Sequence, residues 1–355
     1  MTPSQSDRRT RREAQSTATK ARGGTPVAPG ANARRRRITW ITAVVLTVVL
    51  AGAAVATVVA TGSGSGSKGG PAPAPTAHTL LRLPAASAVV AGATSSVGYA
   101  TDDLRDLVVR FDPRNGRVLA TAPVPDRPAA MVRVGGDLWV AEAVRNTLIE
   151  VDARSLHIVR TVPVPAGPAG LAVFEGKIWV ASVLAGEVTP VDARTGTAGT
   201  PVDVPGGAVR VAAGFGALWI TDTADKVHHF VPPSSRHPEP TLEGITVGNG
   251  PIGVATGAGS VWVANPPDGT VSQVDPSTLR VVHTYRVGGD PLSVAVAGGR
   301  VYVGDGAAET VRTVYPAPVS KVAHIGTAPR ELVAVGGGVW VAGANPGRVL
   351  AVFSE

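Results

Sequence analysis

An aromatic side chain set in a short β-branched run recurs along this chain, at Tyr99, Trp139, Trp179, Trp219, Trp262, Tyr302 and Trp340. The runs read VGYAT, LWVA, IWVA, LWIT, VWVA, VYVG and VWVA, and successive spacings are 40, 40, 40, 43, 40 and 38 residues. A fixed period of this size means one supersecondary unit stacked on copies of itself, because a single unit cannot bury its apolar face alone.

Residues 249–287 show the unit. A proline opens strand one (IGVATG), a Gly-rich turn leads to strand two (SVWVAN), and loops lead to strand three (TVSQVDP) and strand four (RVVHTYRV). Glycine turns of this kind join antiparallel hairpins. Pro128, Pro168, Pro291 and Pro329 repeat the opening proline. Asp112, Asp152 and Asp192 repeat Asp275 at the end of strand three, where a carboxylate bonds the N–H groups of the following turn. Four strands per forty residues, seven times over, is the signature of an all-β, seven-bladed β-propeller. Seven units of about 40 residues need about 280, and residues 77–355 supply 279. The last copy stops at Glu355 after its third strand, while HTLLRLP (residues 78–84) matches an orphan strand four. The propeller is therefore expected to be closed by an N-terminal strand, which removes two exposed edges. The recurring aromatics are expected to pack between blades.

The segments VWVAN (261–265), GTVSQVDPSTLRVV (269–282) and the Gly250-Pro251 start resemble YVTN-type and NHL-type propellers, the group of YncE-like proteins. The resemblance covers residues 77–355. It implies the fold but not one activity, since that group includes binding modules, sensor domains and a lyase acting on a cyclic peptide antibiotic.

Residues 1–68 hold 11 Lys/Arg against Asp7 and Glu13, a charge of +9. The rest holds 22 bases and 24 acids, a net of −2, so the overall +7 belongs to the tail. The folded part carries no charge signal for nucleic acid. Residues 38–61 are 24 residues without a charge, about 36 Å as a helix and enough for a roughly 30 Å hydrocarbon core. Arg34, Arg35, Arg36 and Arg37 abut this stretch, with Lys68 the nearest base beyond it, so the positive-inside rule puts the N-terminus in the cytoplasm and the propeller outside the cell membrane. A cleaved signal peptide ending near Ala54-Val55-Ala56 is the rival reading, but the apolar stretch exceeds the usual signal core. The expected organisation is a disordered basic cytoplasmic tail (1–37), one transmembrane helix (38–61), a Gly/Ser/Pro linker (62–76) and an extracytoplasmic β-propeller (77–355). Anionic lipid headgroups are natural partners of the tail.

The chain has no cysteine, so disulfides, thiolate metal sites and cysteine nucleophiles are excluded. No HxxxH, HExxH or GxSxG pattern occurs, and no cofactor or metal is expected. The resemblance puts a site on the face formed by the two-to-three and four-to-one loops. Two registers there carry chemistry. Three residues past each aromatic stand Asp102, Glu142, Ser182, Asp222, Asn265, Asp305 and Gly343. They either cap the local turn or form a polar ring at the channel mouth, to which Asp103, Asp225 and Asp268 would add. Nine residues before each aromatic, at the start of strand one, stand Val90, Ala130, Gly170, Arg210, Gly253, Ser293 and Glu331. Arg210 and Glu331, with the adjacent Arg330, are the charged exceptions and would grip a polar ligand in the channel. A lyase would need a histidine base on the inner upper face, and the sequence places none there. The expected function is a membrane-anchored scaffold or sensor that binds a protein, peptide or envelope polymer. The alternatives are a channel-site enzyme of the lyase or hydrolase kind, or a purely structural envelope protein.

Overall fold

A computed structural model describes residues 76–353, apart from 93–95, 234–238, 317, 345 and 346. The expected tail, membrane span and nearly all of the linker lie outside the described residues. No helix among the described residues is long and apolar enough to cross a membrane.

Seven four-stranded antiparallel sheets form the ring. In blades one to six the four strands follow in chain order. The innermost strands begin at Ala86, Pro128, Pro168, Arg210, Val254, Pro291 and Ala328. Strands one and two are almost wholly buried, whereas fourth strands such as Arg280–Arg286 are mostly exposed. That gradient explains the sequence pattern: β-branched runs with an aromatic fill strand two, while polar residues punctuate strand four. Blade three has the shortest outer strand, only Val202–Asp203, after a Gly/Pro-containing segment poor in strand formers.

The seventh blade joins both ends of the described chain. Its outermost strand is Thr76–Arg82, paired antiparallel to Arg348–Phe353 from Thr76 opposite Phe353 to Arg82 opposite Arg348. Leu83 N–H donates to the Gly347 carbonyl at 3.1 Å, continuing the seam. The closing strand read from the sequence at residues 78–84 is thus present, as Thr76–Arg82, two residues nearer the N-terminus at each end.

The aromatics pack between blades, as expected. Trp179 of blade three meets Phe230 of blade four edge-on at 5.4 Å, and Trp262 of blade five meets Tyr315 of blade six at 5.3 Å. Trp340 of blade seven meets Phe111 of blade one at 5.8 Å, so the same contact seals the ring. All seven marked aromatics are at most 6% exposed. At the lower face, the carboxylates closing strand three accept turn N–H groups: Asp112 from Arg114 at 2.9 Å, Asp152 from Ser155 at 2.6 Å, Asp192 from Thr195 at 2.7 Å and Asp275 from Ser277 at 2.7 Å.

One expected register shifts. Ala130 pairs with Ala141 and Gly170 with Ala181, so the equivalent in blade one must lie opposite Thr101. That residue is Ala88, whose N–H donates to the Thr101 hydroxyl at 2.8 Å, and not Val90, which pairs with Tyr99. The cause is the loop between Ala91 and Gly98, longer than the tight turns of the other blades, so counting nine back from Tyr99 falls two residues short.

Candidate functional site

Near the axis the first strands crowd one another. A Cβ on Gly170 would sit 3.1 Å from Arg210 Cα, and one on Gly253 would sit 2.9 Å from the Leu292 carbonyl oxygen. The small residues of this register are therefore required by backbone approach between neighbouring blades. Arg210 and Glu331 occupy the same position and are 2% and 1% exposed, so two charges lie in the packed wall. The Glu331 carboxylate accepts the Val89 N–H at 2.8 Å, tying blade seven to blade one. Arg210 donates to the Val209 carbonyl at 3.0 Å. Burial pulls its pKa below the usual guanidinium range, to about 10, against the opposing field of Glu331, so it stays charged at neutral pH.

The register at the end of strand two places Asp102, Glu142, Asp222, Asn265 and Asp305 in five different blades, each at most 2% exposed. Their first task is local. Asp102 accepts the Leu104 and Arg105 N–H groups at 3.2 Å, and Glu142 accepts the Thr147 hydroxyl. Asp222 accepts Ala224 N–H at 2.9 Å and Lys226 N–H at 2.8 Å, and its second oxygen meets His228 Nε2 at 2.8 Å. Asn265 accepts Gly248 N–H and donates to Thr270 and Ser272. Asp305 accepts Asp290 and Ala308 N–H at 3.0 Å and receives Arg312 at 3.3 Å. Asp225 and Asp268 likewise hold the four-to-one loop before blade five, through Gly250 and Asn249 N–H. These groups peg turns, and the structure does not bring them together around a common point.

The register nevertheless divides the ring. In blades four, five and six the polar side-chain atoms are all bonded. In blades one, two and three, Asp102 Oδ2, Glu142 Oε1 and the Ser182 hydroxyl are buried without a hydrogen-bond partner among the described residues. The cost of burying such groups raises the pKa of Asp102 and Glu142 above ordinary carboxylate values, against the turn N–H groups and the Thr147 hydroxyl that hold them down. Burial raises Glu150 and Asp290 too.

Above these carboxylates lies a surface feature that the sequence reading passed over. Leu104, Val144 and Leu184 each stand five residues past the blade aromatic, in the two-to-three loops of blades one, two and three, and are 67%, 57% and 54% exposed. Small residues, Ala224 and Ala307, hold the position in blades four and six. The period itself was the available signal, since three large apolar residues share one loop register. Arg105 and Arg145 follow Leu104 and Val144 directly. Beside them Asp103 of blade one accepts Arg330 of blade seven at 2.8 Å and lies 3.9 Å from Arg127 before blade two. Arg145 pairs with Asp126. Of the residues expected to bind, Arg330 and Glu331 reach blade one at the seam, through Asp103 and the Val89 N–H, and the field of Glu331 acts on Arg210 of blade four, while Asp102, Glu142, Asp222, Asn265 and Asp305 each bond within or beside their own turns.

Among the described histidines, His228 comes nearest to the upper face. Its ring is 3% exposed and held by Asp222, which makes it the partner of a turn peg and not an open base. No group of three metal-ligating side chains occurs among the described residues.

The shifts carry a sign. Asp102, Glu142, Glu150 and Asp290 bind their protons more tightly folded than unfolded, so stability rises as pH falls from neutrality toward the ordinary values of 3.8 and 4.5. Asp152, Asp192 and Asp275, lowered by side-chain and N–H bonds within their turns, stabilise above 3.8 and lose that contribution as pH falls below it. Thermal melts should therefore rise by a few degrees between about pH 7 and pH 5 and fall below about pH 4. Asp102→Asn with Glu142→Gln should flatten the rise, and an unchanged slope in that variant would remove these two carboxylates as its source.

No family model and no curated protein matches the chain. Solved structures do. A catalytically inactive variant of virginiamycin B lyase from Staphylococcus aureus, bound to quinupristin, aligns with TM-score 0.68 and 12% identity over 79% of this chain and 100% of that one. The WD40 repeats of RRP9 align with TM-score 0.68 and 12% identity over 80% and 100%. BamB from Moraxella catarrhalis aligns with TM-score 0.56 and 15% identity over 76% and 82%. At these identities the likeness is one of architecture, and it identifies the chain as a seven-bladed β-propeller.

Proposed function

We propose that this protein is a membrane-anchored extracytoplasmic propeller that binds a protein or peptide partner on the upper face of blades one to three. The observation that carries the reading is the arc of Leu104, Val144 and Leu184, exposed at one loop register with arginines beside it. Exposed apolar side chains rimmed by charge are what an interface core requires, and their confinement to neighbouring blades one, two and three marks one docking direction. The same blades hold the buried oxygens of Asp102, Glu142 and Ser182 that have no partner among the described residues. The closed ring is a rigid platform whose loops can differ without disturbing its core. The anchoring rests on the 24 uncharged residues 38–61 and the four arginines at 34–37. In this reading binding uses the propeller as a platform, without chemistry. The enzyme reading has less behind it, because His228 is sealed against Asp222.

The lack of cysteine makes the test clean, since each introduced thiol is unique. In intact cells an impermeant maleimide should label Thr278→Cys and leave Ser16→Cys unlabelled until the membrane is opened. A photo-crosslinker at Val144 should give one discrete adduct that a crosslinker at Val282, on the exposed outer strand of blade five, does not. Leu104→Asp with Leu184→Asp should reduce that adduct at least about tenfold, as expected for a central apolar contact. Equal adducts from Val144 and Val282 would sink the upper-face assignment, and labelling of Ser16→Cys in intact cells would sink the orientation.

A further inference from the structure

At the opposite, lower face a cleft of about 420 Å³ opens between blades one and two. Its walls include Val97 and Leu119, and Arg110, Arg133 and Arg154 line it beside Tyr99. The cleft exists because the repeat departs from its own pattern there. Position 99 carries Tyr where five blades carry Trp, and its hydroxyl donates across the gap to the Ala153 carbonyl at 2.9 Å. Opposite the aromatic, blade one has Arg110, while the other blades have Glu150, Pro190, His229, Gln273, Thr313 and Ala351. Near the end of strand one, blade two has Arg133, while the aligned positions elsewhere are Ala91, Val173, Ala213, Thr256, Val296 and Ala334. Two cations have thus entered two neutral or acidic registers on the two walls of one gap.

These charges are not spent on neighbours. No acidic side chain lies within 4.0 Å of the Arg110, Arg133 or Arg154 guanidinium groups among the described residues, and Arg110 donates to the Arg154 carbonyl. The nearby Asp152 carboxylate is occupied by Arg154 N–H and by Ser155. The fields of Arg110 and Arg133 both reach the Tyr99 phenol.

We infer that this lower cleft binds a phosphate ester, its charged oxygens on Arg110 and Arg133 and its apolar body against Val97 and Leu119. Guanidinium forks match phosphate oxygens in pairs, and three cations suit a dianion better than a single carboxylate. The volume falls within the usual range for small-ligand sites. The ester's source can be soluble or a lipid headgroup. The closing strand begins at Thr76 on this same lower face of blade seven, next to blade one.

The full chain, held in a maltoside detergent, would be titrated calorimetrically with phenyl phosphate, with dihexanoyl phosphatidic acid below its micelle concentration, and with phenol and dihexanoyl phosphatidylcholine as controls. At least one phosphate monoester should bind at one site per chain, more tightly than both controls and more weakly as salt rises. Arg133→Gln should weaken that binding at least about tenfold, Arg110→Gln should do the same, and Arg133→Lys should recover part of it. The Arg133 guanidinium makes no hydrogen bond among the described residues, so its variants test the site even if Arg110→Gln disturbs the Arg154 loop. Tighter phosphatidic acid assigns the site to a headgroup, and tighter phenyl phosphate assigns it to a soluble ester. Absence of saturable binding by both esters, or affinities unchanged by Arg133→Gln, would overturn the inference.

Discussion

Deleting residues 76–82 from the full chain will leave a protein that no longer unfolds in one sharp transition and that associates in solution. The deletion strips the outer strand from blade seven and exposes the backbone edge of Arg348–Phe353. It also removes Leu81, which is 4% exposed and packs in the largest apolar cluster with Trp340 and Val349. Burial of one leucine contributes about 2 kcal/mol, and the ladder of hydrogen bonds adds about 1 kcal/mol for each one lost. Several kcal/mol is a large share of the roughly 5–15 kcal/mol that holds a domain together. The melting temperature should fall by at least about 10 °C, and sedimentation should show species larger than the intact protein. A synthetic peptide spanning residues 76–84 should restore part of the loss when added in excess, because a separate strand can reoccupy the same edge. A deletion variant that melts as the intact protein does would show that the ring is closed by blade-to-blade packing alone.

The second large effect lies at the axis. Arg210→Met removes one positive field acting on the buried Glu331 carboxylate, and Glu331→Gln removes the negative field that supports the buried Arg210 charge. Each should cost about 1–2 kcal/mol in urea unfolding, less than breaking a contacting buried pair, because no ion pair joins the two side chains within 4.0 Å. The double variant should cost much less than the sum, since both desolvation penalties vanish together. Glu331→Gln keeps an amide oxygen to accept the Val89 N–H across the blade seven to blade one seam, so Glu331→Leu, which removes the acceptor, should come out costlier than Glu331→Gln. The measurement is a double-mutant cycle. Strict additivity would mean that the two charges do not sense each other.

These expectations differ in how much of them could be read before the fold was known. The ring was legible because inter-blade packing demands one aromatic per blade, and that demand leaves a period in the chain from Tyr99 to Trp340. The closing strand was legible because HTLLRLP lacked a partner and the last copy lacked a strand. Val90 was misplaced because a period cannot see a lengthened hairpin loop before Gly98. The carboxylate register was found, yet its division was not. Asp222 and Asp305 are saturated by His228 and Arg312, residues six and seven positions further on, so only side-chain geometry tells them from Asp102 and Glu142. Arg133 escaped notice for a related reason. A strand position near a lower turn carries no mark of exposure until the two walls of the gap are seen together. Leu104, Val144 and Leu184 were readable in principle, since they share a register, but apolar residues in a repeat are taken for core by default.

In the proposed anchored arrangement, the seam at blade seven would also determine how this molecule carries load. The outer strand enters from the lower face at Thr76 and runs upward to Arg82, paired along its length with Arg348–Phe353. A pull on the chain ahead of Thr76, resisted by a partner held on the upper face, is directed along that strand. Its ladder is then strained in parallel, as in shear, and not peeled open one rung at a time. Tension would reach the ring through its strongest mechanical axis, and the element that completes the circle would also be the one that bears the tether.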